Sequence, residues 1–600
     1  MVKRHTHALV LITLLVVLAF NGAAVGEQVH AQSFPVDADD GGGGVIVEAL
    51  PGDARSIGSL NPLRCNELAC RRITALLFPT LLGVDLERRA YVGGAEGGLA
   101  ASWTIDPDDR RRLTFTLRDD VLWSDGTPIT AYDVFYSYLA MDSGDFSSPF
   151  TDNVRIDFLG VAPRDAQRIT FVAREGTCSA LNRSDLPVIP AHVFAPEFAD
   201  VAADAFDPDG DPLAQFEAWQ ADSALDFGFI GGHPFDRAPS VTAGPFMFES
   251  FDPYEGVRLI AEDGRRAYAF VDAEGVSVAD LFARGEVDLV VNPSYNERQI
   301  IRALDDAQIA EYAGTVWYYI GLNLADPDNP QNAFDDDGEP LDQGRHPVFG
   351  DERVRRAMQM AIDVPALIEA VTLGSGTVIA GDQPPISWAF DPDLQPVGYD
   401  PVGASRLLDE AGWRDDDGDG IRDCVECLDA TPGRSLSFQL AYADNLPDAA
   451  VTALIIEEQL RRVGMRAFLQ PLSSGGLVQY ALSQRHDAFL FGASGAFPVD
   501  PGQVETFTRA GDVVDELSNT SSYHNAQVEA LHAELVAVAT CDLDERAAIH
   551  HEIQAILQEE QPMIWLFAIN EFVAARRAVT GFDPRVGDPL WNIRDWVVVR

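Results

Sequence analysis

The sequence predicts a mixed α/β protein built from more than one lobe. The chain has 600 residues, more than a single hydrophobic core usually supports. Apolar residues make up 46% and charged residues 23%, a composition typical of globular proteins. Helical and strand patterns alternate along the chain, which favours α/β lobes.

The clearest local elements lie between residues 113 and 138. Residues 113–118 alternate between apolar and polar side chains, which predicts a half-buried strand. Residues 124–128 have the composition of a turn. Thr130 and Asp133 have the spacing of a capping box, so a helix is predicted to begin there and continue through Tyr138.

Further helices are predicted where apolar residues recur every three or four positions. Their shared faces are formed by Val354, Ala357, Met358, Ala361 and Ile362; by Ala404, Leu407, Leu408 and Ala411; and by Val528, Leu531, Leu535 and Val538. The second of these helices begins at Asp400-Pro401 and ends before Gly412. Residues 465–469 are predicted to form a strand.

The N-terminal segment has the features of an export signal. Lys3 and Arg4 precede an apolar run over residues 8–20, and small residues follow. This order is typical of a secretory signal peptide, which we predict over residues 1–31. The run is short for a membrane span, although an uncleaved segment that anchors the protein is the alternative. We expect a soluble mature protein, with a polar linker over residues 32–44.

Six cysteines occur in the chain. The first is Cys65, far beyond the signal, so no lipid anchor is predicted. Cysteines of exported proteins commonly pair, and we expect these to be structural. Their spacing offers two local pairs, Cys65 with Cys70 and Cys424 with Cys427. The remaining two, Cys178 and Cys541, could bridge distant segments.

The charge balance disfavours polyanionic partners. Asp and Glu number 94 against 43 Lys and Arg, which gives a formal net charge of -51. Such a surface repels nucleic acid and anionic lipid head groups, so no nucleic-acid partner is expected. Adaptation to salt and an acidic docking face are two explanations, but a solvated surface that keeps a secreted protein soluble is the simpler one.

Several segments share residues and order with one protein family. The longest, residues 115–134, reads FTLRDDVLWSDGTPITAYDV. The others are residues 75–81, 242–246, 285–289, 354–363, 399–413 and 561–567. From about residue 45 onwards the chain thereby resembles extracellular solute-binding protein family 5, which includes the oligopeptide-, dipeptide- and nickel-binding components of ABC importers.

The resemblance implies an α/β, two-lobed periplasmic-binding-protein fold, type II-like and of the large cluster with an extra subdomain in the first lobe. Hinge strands would join the lobes. The expected first lobe comprises residues 45–75, 184–314 and 568–600. The inserted subdomain comprises residues 76–183, and the second lobe comprises residues 315–567.

The resemblance also implies a function. A peptide or similar small solute would be captured in the interlobe cleft by hinge closure and delivered to a membrane permease and ATPase complex. We expect a monomer in the periplasm or at the cell surface that is not an enzyme and requires no cofactor. Residues 492–496 lack the final glycine of a nucleophile elbow, and residues 550–552 lack the spacing of a zinc-protease helix. Both are expected to be ordinary surface or loop segments.

Residues 315–323 align with the hinge-crossing segment of the family. Alternation places Trp317, Tyr319, Gly321 and Asn323 on one face and leaves a core-like opposite face. Flat aromatic rings and an amide suit a cleft wall on which an extended ligand can stack and form hydrogen bonds. The alternative is that the two aromatic residues simply pack between the lobes.

Two further ligand contacts are predicted in the second lobe. In peptide-binding relatives an aspartate of this lobe pairs with the α-ammonium group of the ligand, and the resemblance places Asp500 at the matching position. An uncharged ligand would leave such a carboxylate unpaired, which makes it a specificity device. The alternative is an ordinary turn aspartate before a proline. Trp388 is a candidate for the cleft rim.

A separate acidic loop has the spacing of a calcium site. Asp415, Asp417, Asp419, Asp423 and Glu426 occupy positions 1, 3, 5, 9 and 12 of a calcium-binding loop, and a glycine occupies position 6. A structural calcium ion is therefore one expectation. The other is a solvated turn held by Cys424 and Cys427.

Two competing functions fit parts of the sequence. A protein of the same fold could bind a sugar, a metal chelate or a signal molecule, because fold does not fix cargo. An exported hydrolase that uses cleft carboxylates is the alternative from another class, and it would need a pair of acids placed across the substrate.

Overall fold

A computed structural model describes residues 44–50, 57–94, 97–223, 225–264, 266–273, 275–495, 497–499, 501, 506–516, 519–538 and 541–599. The predicted signal peptide, most of the linker and Asp500 lie outside these residues.

The strands follow one another along the whole described chain. They are β1 (Gly44–Leu50), β2 (Gly83–Asp85), β3 (Ala90–Val92), β4 (Ala100–Ile105), β5 (Arg112–Leu117), β6 (Phe158–Pro163), β7 (Arg168–Ala173), β8 (Met247–Asp252), β9 (Gly256–Ile260), β10 (Arg266–Asp272), β11 (Leu289–Val291), β12 (Ala307–Leu322), β13 (Gly376–Val378), β14 (Trp413–Arg414), β15 (Asp423–Cys424), β16 (Ser437–Ala443), β17 (Arg466–Leu472), β18 (Ala488–Ser494), β19 (Met563–Arg576), β20 (Val579–Thr580) and β21 (Val597–Val598).

The helices lie between these strands. They are α1 (Leu68–Ala75), α2 (Ala131–Ser143), α3 (Thr151–Asp157), α4 (Ser179–Arg183), α5 (Ala191–Phe194), α6 (Phe198–Ala205), α7 (Pro212–Asp222), α8 (Val278–Arg284), α9 (Tyr295–Arg302), α10 (Glu352–Ala361), α11 (Val364–Thr372), α12 (Pro401–Glu410), α13 (Pro447–Arg461), α14 (Ser474–Leu482), α15 (Ala526–Ala537) and α16 (Leu543–Glu560). Among the described helices, none is both long enough and apolar enough to cross a membrane.

One large sheet runs through the molecule in the order β17-β16-β18-β12-β19-β11-β1-β10-β9-β8, and β13 also pairs with β19. Its two longest strands, β12 and β19, are antiparallel neighbours near the middle. A separate antiparallel sheet has the order β4-β5-β7-β6. The mixture of parallel and antiparallel pairs with helices between them is the expected α/β architecture.

Two large hydrophobic cores lie on either side of the β12–β19 pair. The first draws its buried residues from residues 46–289 and 573–598, and the second from residues 318–490 and 564–567. The chain passes from one core to the other within β12 and returns within β19. We call the described residues up to Ala313 and from Asn570 the first lobe, and those between them the second lobe.

A smaller cluster covers the other face of the second lobe's sheet. There α15 and α16 pack against buried side chains of β19, and Trp317 and Tyr319 of β12 contact the same cluster. The second lobe therefore has helices on both faces of its sheet. The predicted boundaries near residues 315 and 567 lie inside the two crossing strands and stay predictions.

Several sequence-based predictions are confirmed at the level of single residues. Leu113, Phe115 and Leu117 are buried and alternate with half-buried neighbours in β5. The capping box of α2 is present, with the helix continuing to Ser143 rather than ending at Tyr138. The three predicted helices correspond to α10, α12 and α15, and their apolar faces are largely buried.

The cysteines form three pairs in the structure, as Cys65–Cys70, Cys178–Cys541 and Cys424–Cys427. The first and third join neighbours in sequence, whereas the second joins residues 363 positions apart. That pair connects the first lobe to the second.

Removal of the Asp133 carboxylate should destabilise the first lobe. Asp133 is buried and accepts hydrogen bonds from the backbone N–H groups of Thr130 and Ala191, each 2.9 Å long. Asp133→Ala leaves both donors without their partner, which should lower the free energy of unfolding by about 2–4 kcal/mol. Differential scanning calorimetry should show a lower Tm. Asp119→Ala removes the same charge from an exposed site, and an equal effect of the two substitutions would contradict the explanation.

Candidate functional site

The crossing between the lobes has an irregular strand pair. Residues 307–313 of β12 pair regularly with β19, and pairing resumes at Trp317 opposite Ala568. Residues 314–316 therefore face a single residue of β19, Ile569, as in a bulge that bends the strand. A side chain at Gly314 would lie 2.9 Å from both the Cγ of Glu571 and the carbonyl of Ile569. The crossing thus requires glycine at this position.

Trp317 and Tyr319 lie together on one face of β12, immediately after this bulge. Both side chains are half-buried. The Tyr319 ring lies 6.0 Å from that of Phe491 and 6.4 Å from that of Phe489 on β18. The opposite face, which includes Tyr318, is buried in the second core, so the predicted division into two faces is confirmed. The assignment of the two aromatic residues to a ligand stays a prediction.

Asn323 does not share the surroundings of these aromatic residues. It is completely buried, its amide N–H group donates to the carbonyl of Gln484 at 2.9 Å, and its amide oxygen accepts from the backbone of Ala325 at 3.0 Å. Both polar groups of the side chain are used inside the protein, so Asn323 fixes the end of β12. Its proposed ligand contact would require these bonds to be exchanged.

Trp388 lies near the contact between the lobes. Its ring packs edge-on against His550, with ring centres 5.6 Å apart, and the Arg546 guanidinium lies 4.9 Å from the ring centre. Three residues earlier, the carbonyl of Pro385 accepts a hydrogen bond from Arg89 of the first lobe. The position suits the predicted rim, and the ligand contact itself stays a prediction.

The segment that contains His550 is not a surface loop. Residues 550–552 lie within α16, and His550 is buried. Burial lowers the pKa of His550 to about 3, and the neighbouring charge of Arg546 adds to the shift. The imidazole is therefore neutral at physiological pH. The expectation of a surface or loop residue is therefore wrong for His550, whereas Glu552 of the same helix is exposed.

Asp500 lies outside the described residues, but its neighbours show where the segment runs. The Phe497 ring lies over Gly587 of the first lobe so closely that a side chain at Gly587 would collide with it. A side chain at Gly495 would lie 3.5 Å from the Trp317 ring. The described neighbours Gly495 and Phe497 therefore lie beside β12 and beside the first lobe, respectively.

One edge of β18 lacks a neighbouring strand. β16 pairs with β18 only at Ala488 and Phe489, so within the described part of the chain no strand covers that edge of residues 492–494. The backbone N–H of Gly495 donates to Thr315 at 3.0 Å. The backbone N–H and C=O groups of successive residues point to alternate edges of a strand in an antiparallel ladder. Those of Gly492 and Ser494 therefore point to the uncovered edge.

Both residues at this edge are exposed. They were expected in a surface or loop segment, and the structure shows that they are surface residues of a strand. No sequence motif marks them, because an uncovered edge depends on where the neighbouring strand ends. We call Gly492–Ser494 the free edge.

Glu571 is a further acidic group at the crossing that the sequence did not indicate. It pairs directly across the two strands with Tyr312. Burial raises the pKa of Glu571, while the guanidinium groups of Arg72 and Arg298 oppose that shift. The Tyr312 hydroxyl is buried and has no hydrogen-bond partner among the described residues.

Near this pair lies an ionic contact between the buried Glu48 and the half-buried Arg72. The guanidinium Nε of Arg72 lies 2.6 Å from the carboxylate of Glu48, and the Tyr268 hydroxyl donates to the same carboxylate. Burial raises the pKa of Glu48, and Arg72 opposes the shift. Glu48 thus holds Arg72, and Glu571 is a second, half-buried acidic group at the crossing.

The predicted calcium loop brings three of its five acidic residues together. Asp415, Asp417 and Asp419 are exposed, and their carboxylate oxygens lie within 4.8 Å of one another. Burial and the charges of these three residues raise the pKa of Asp423, which places it near the group. Glu426 is exposed and is not part of the group.

The chain was compared with known proteins by family, sequence and structure. A profile described as bacterial extracellular solute-binding proteins, family 5 Middle, matches residues 94–514. The oligopeptide-binding protein AppA of Bacillus subtilis (strain 168) is 22% identical over 619 aligned residues, which cover 99% of each protein.

Solved structures show the same fold. The structure of Bacillus subtilis AppA in complex with a nonapeptide has a TM-score of 0.55 and 20% identity, and the match covers 93% of this chain and 99% of that one. Campylobacter jejuni NikZ in complex with Ni(L-His) has a TM-score of 0.56 and 20% identity over 92% and 99% of the two chains. The fold is thus that of solute-binding proteins, and the chain belongs to the bacterial extracellular solute-binding proteins of family 5.

Proposed function

We propose that the protein captures an extended peptide between its two lobes and presents it to the permease and ATPase of an ABC importer. The free edge of β18 carries the proposal. An extended peptide binds such an edge by main-chain hydrogen bonds, as an added strand does. Trp317 and Tyr319 lie on β12, which pairs with the opposite edge of β18, so in this proposal their flat apolar rings receive peptide side chains that extend across β18.

The similarity to AppA supports a peptide as the solute, because AppA is an oligopeptide-binding protein and its structure contains a nonapeptide. The negative charge at the crossing favours a ligand that carries a cation. In this proposal Asp500 pairs with the peptide's α-ammonium group, Glu571 adds to the negative potential, and Trp388 contacts the ligand from the rim.

The proposed setting is the bacterial periplasm or cell surface. Residues 1–31 act as the export signal, and the mature protein works as a monomer that meets its permease with a peptide bound. The function needs no bond to be broken, because closure of the lobes around the solute is itself the signal that the transporter recognises.

The same fold accommodates other cargo, as the nickel–histidine complex of NikZ shows. A thermal-shift screen of residues 32–600 against di- to octapeptides, sugars and nickel chelates separates these functions. Peptide-dependent stabilisation without peptide cleavage supports the proposal. Stabilisation by another class alone contradicts it, and the appearance of cleaved peptide would indicate the hydrolase instead.

Peptides that carry one N-methyl group test the free edge directly. N-methylation removes a single N–H donor, and the backbone groups of an extended peptide alternate in direction. We therefore expect affinity to fall about fivefold at every second position, measured by isothermal titration calorimetry. Ser494→Pro, which removes an N–H on the free edge, should weaken binding by a similar factor, whereas Ser494→Ala should not. Equal losses at consecutive positions would rule out strand addition.

The role of Asp500 predicts a dependence on the peptide's N-terminus. Asp500→Asn should weaken binding of peptides with a free α-ammonium group by about 10- to 100-fold, since a hydrogen bond to a charged group is lost. Acetylated versions of the same peptides should bind the variant at least as tightly as the native protein, because they leave the Asp500 carboxylate unpaired. An equal loss for both kinds of peptide would mean that Asp500 acts through the fold and not through the ligand.

We also propose that the acidic loop binds a structural calcium ion. The backbone N–H groups of Gly418 and Gly420 donate to the two carboxylate oxygens of Asp415, at 2.8 and 3.1 Å. These bonds fold the loop so that its carboxylates converge, and hard oxygen ligands of this kind suit calcium.

Calcium should raise the Tm of the protein by several degrees when its concentration is well above the Kd, because an ion that binds only the folded state stabilises it. Asp417→Asn should reduce the rise, and Asp416→Asn, which changes the same charge at an exposed position outside the group, should not. The rise should be smaller with magnesium. A calcium effect that is equal in both variants would place the ion elsewhere.

A further inference from the structure

A disulfide joins the two lobes at a point away from the crossing strands. Cys178 precedes α4 at the end of the β4–β7 sheet unit in the first lobe, and Cys541 lies between α15 and α16 in the second. Their Cα atoms are 5.5 Å apart. Since α15 and α16 cover one face of the large sheet, the connection that carries Cys541 lies outside the crossing strands.

An arginine of the first lobe, Arg110, lies beside this bond, with its guanidinium 3.7 Å from the Cys178 sulfur. Arg110 donates to the carbonyls of Val536 and Val538, at 2.9 Å each. These carbonyls end α15 and would otherwise have no partner within the helix. The Arg110 guanidinium is also attracted to this end of α15, because the C-terminal end of a helix carries partial negative charge.

Two more arginines extend the contact along the second lobe. Arg88 lies 3.3 Å from the carboxylate of Asp544 at the start of α16, and Arg89 donates to the carbonyl of Pro385. The donors all belong to the first lobe and the acceptors all belong to the second. We call Cys178–Cys541 with Arg88, Arg89 and Arg110 the latch.

The latch changes the motions that are available to the lobes. Without the disulfide, the covalent connections between the lobes are the neighbouring strands β12 and β19. Only non-covalent contacts, such as the hydrogen bond from Gln299 to the carbonyl of Leu373, then oppose rotation about other axes. A disulfide keeps its Cα atoms within about 4.4–6.8 Å, so the lobes can separate there by only about 1 Å more than they do now. The rotation that remains is about the line from the crossing to the disulfide.

We propose that the Cys178–Cys541 disulfide restricts how far the cleft opens and so slows the exchange of a bound solute. The three arginines align the lobes around it. The proposal concerns the two-lobed fold and does not depend on which solute binds.

The free protein provides the test. Single-molecule Förster resonance energy transfer between maleimide dyes at Ile156→Cys and Leu454→Cys reports the separation of the lobes, since both residues are exposed and lie in different lobes. With the disulfide intact, one narrow distribution is expected. Cys178→Ser/Cys541→Ser should add a population with a longer dye separation.

Cys424→Ser/Cys427→Ser is the matched control, because it removes a disulfide within the second lobe alone and should leave the distribution narrow. Arg110→Gln should broaden the distribution only when the disulfide is absent. If the serine variant folds poorly, reduction of the labelled native protein, with opening of Cys178–Cys541 checked by mass spectrometry, gives the same comparison. Identical narrow distributions with and without the bond would overturn the proposal.

The exchange of a bound solute follows the same logic. Once the solute screen has given a ligand, its dissociation rate should increase severalfold in Cys178→Ser/Cys541→Ser and stay unchanged in the control variant. If the lobes open wider without the bond but no peptide binds, the proposed cargo fails while the latch stands. If peptides bind and dissociation is equal in both variants, the effect on exchange fails instead.

Discussion

The antiparallel pair of β12 and β19 is the constraint on which the rest of the structure depends. Both strands are long enough to contribute to both cores, so the same hydrogen-bonded pair sets the position of one lobe relative to the other. The bulge at residues 314–316 is the first of two register shifts in the ladder, and the bend that it introduces determines which side chains face the junction. Trp317 and Glu571 occupy that junction because each lies one or two residues from the bulge.

The free edge follows from the way β16 ends. After Ala443, the backbone of Asp444 bonds to Leu472 of β17, and the chain turns into α13 at Pro447. β16 therefore leaves β18 after Phe489, whereas β18 continues beside β12 to Ser494. An exposed strand edge is an aggregation hazard that proteins usually cover or interrupt. Here the uncovered edge is short, and Gly492 and Ser494 on it are exposed, as the proposed strand addition requires.

Patterns local in sequence predicted the elements well, and contacts between distant residues account for what was missed. Alternation in residues 113–118 and the Thr130–Asp133 spacing each fix their own backbone, so they could be interpreted without the rest of the chain. Asn323 was predicted on the strand and lies directly after its end at Leu322, and its bond to Gln484 depends on a segment 161 residues away. The pairing of Cys178 with Cys541 and the uncovered edge at Gly492 likewise depend on how distant segments assemble. Residue spacing and periodicity in the sequence do not predict that assembly.

The crossing strands and the latch together determine what a solute must do to close the protein. A solute closes the lobes only to the extent that it binds the closed form more tightly than the open one. If the free protein samples many open arrangements, closing it costs conformational entropy, and this cost reduces the binding free energy that remains. A bond that already excludes most open arrangements leaves more of the binding free energy as affinity. In this proposal the same bond slows release, since a bound solute leaves only by the one rotation that remains. Tight capture and slow release are then two consequences of one link, and a transporter that accepts the solute would have to drive that rotation.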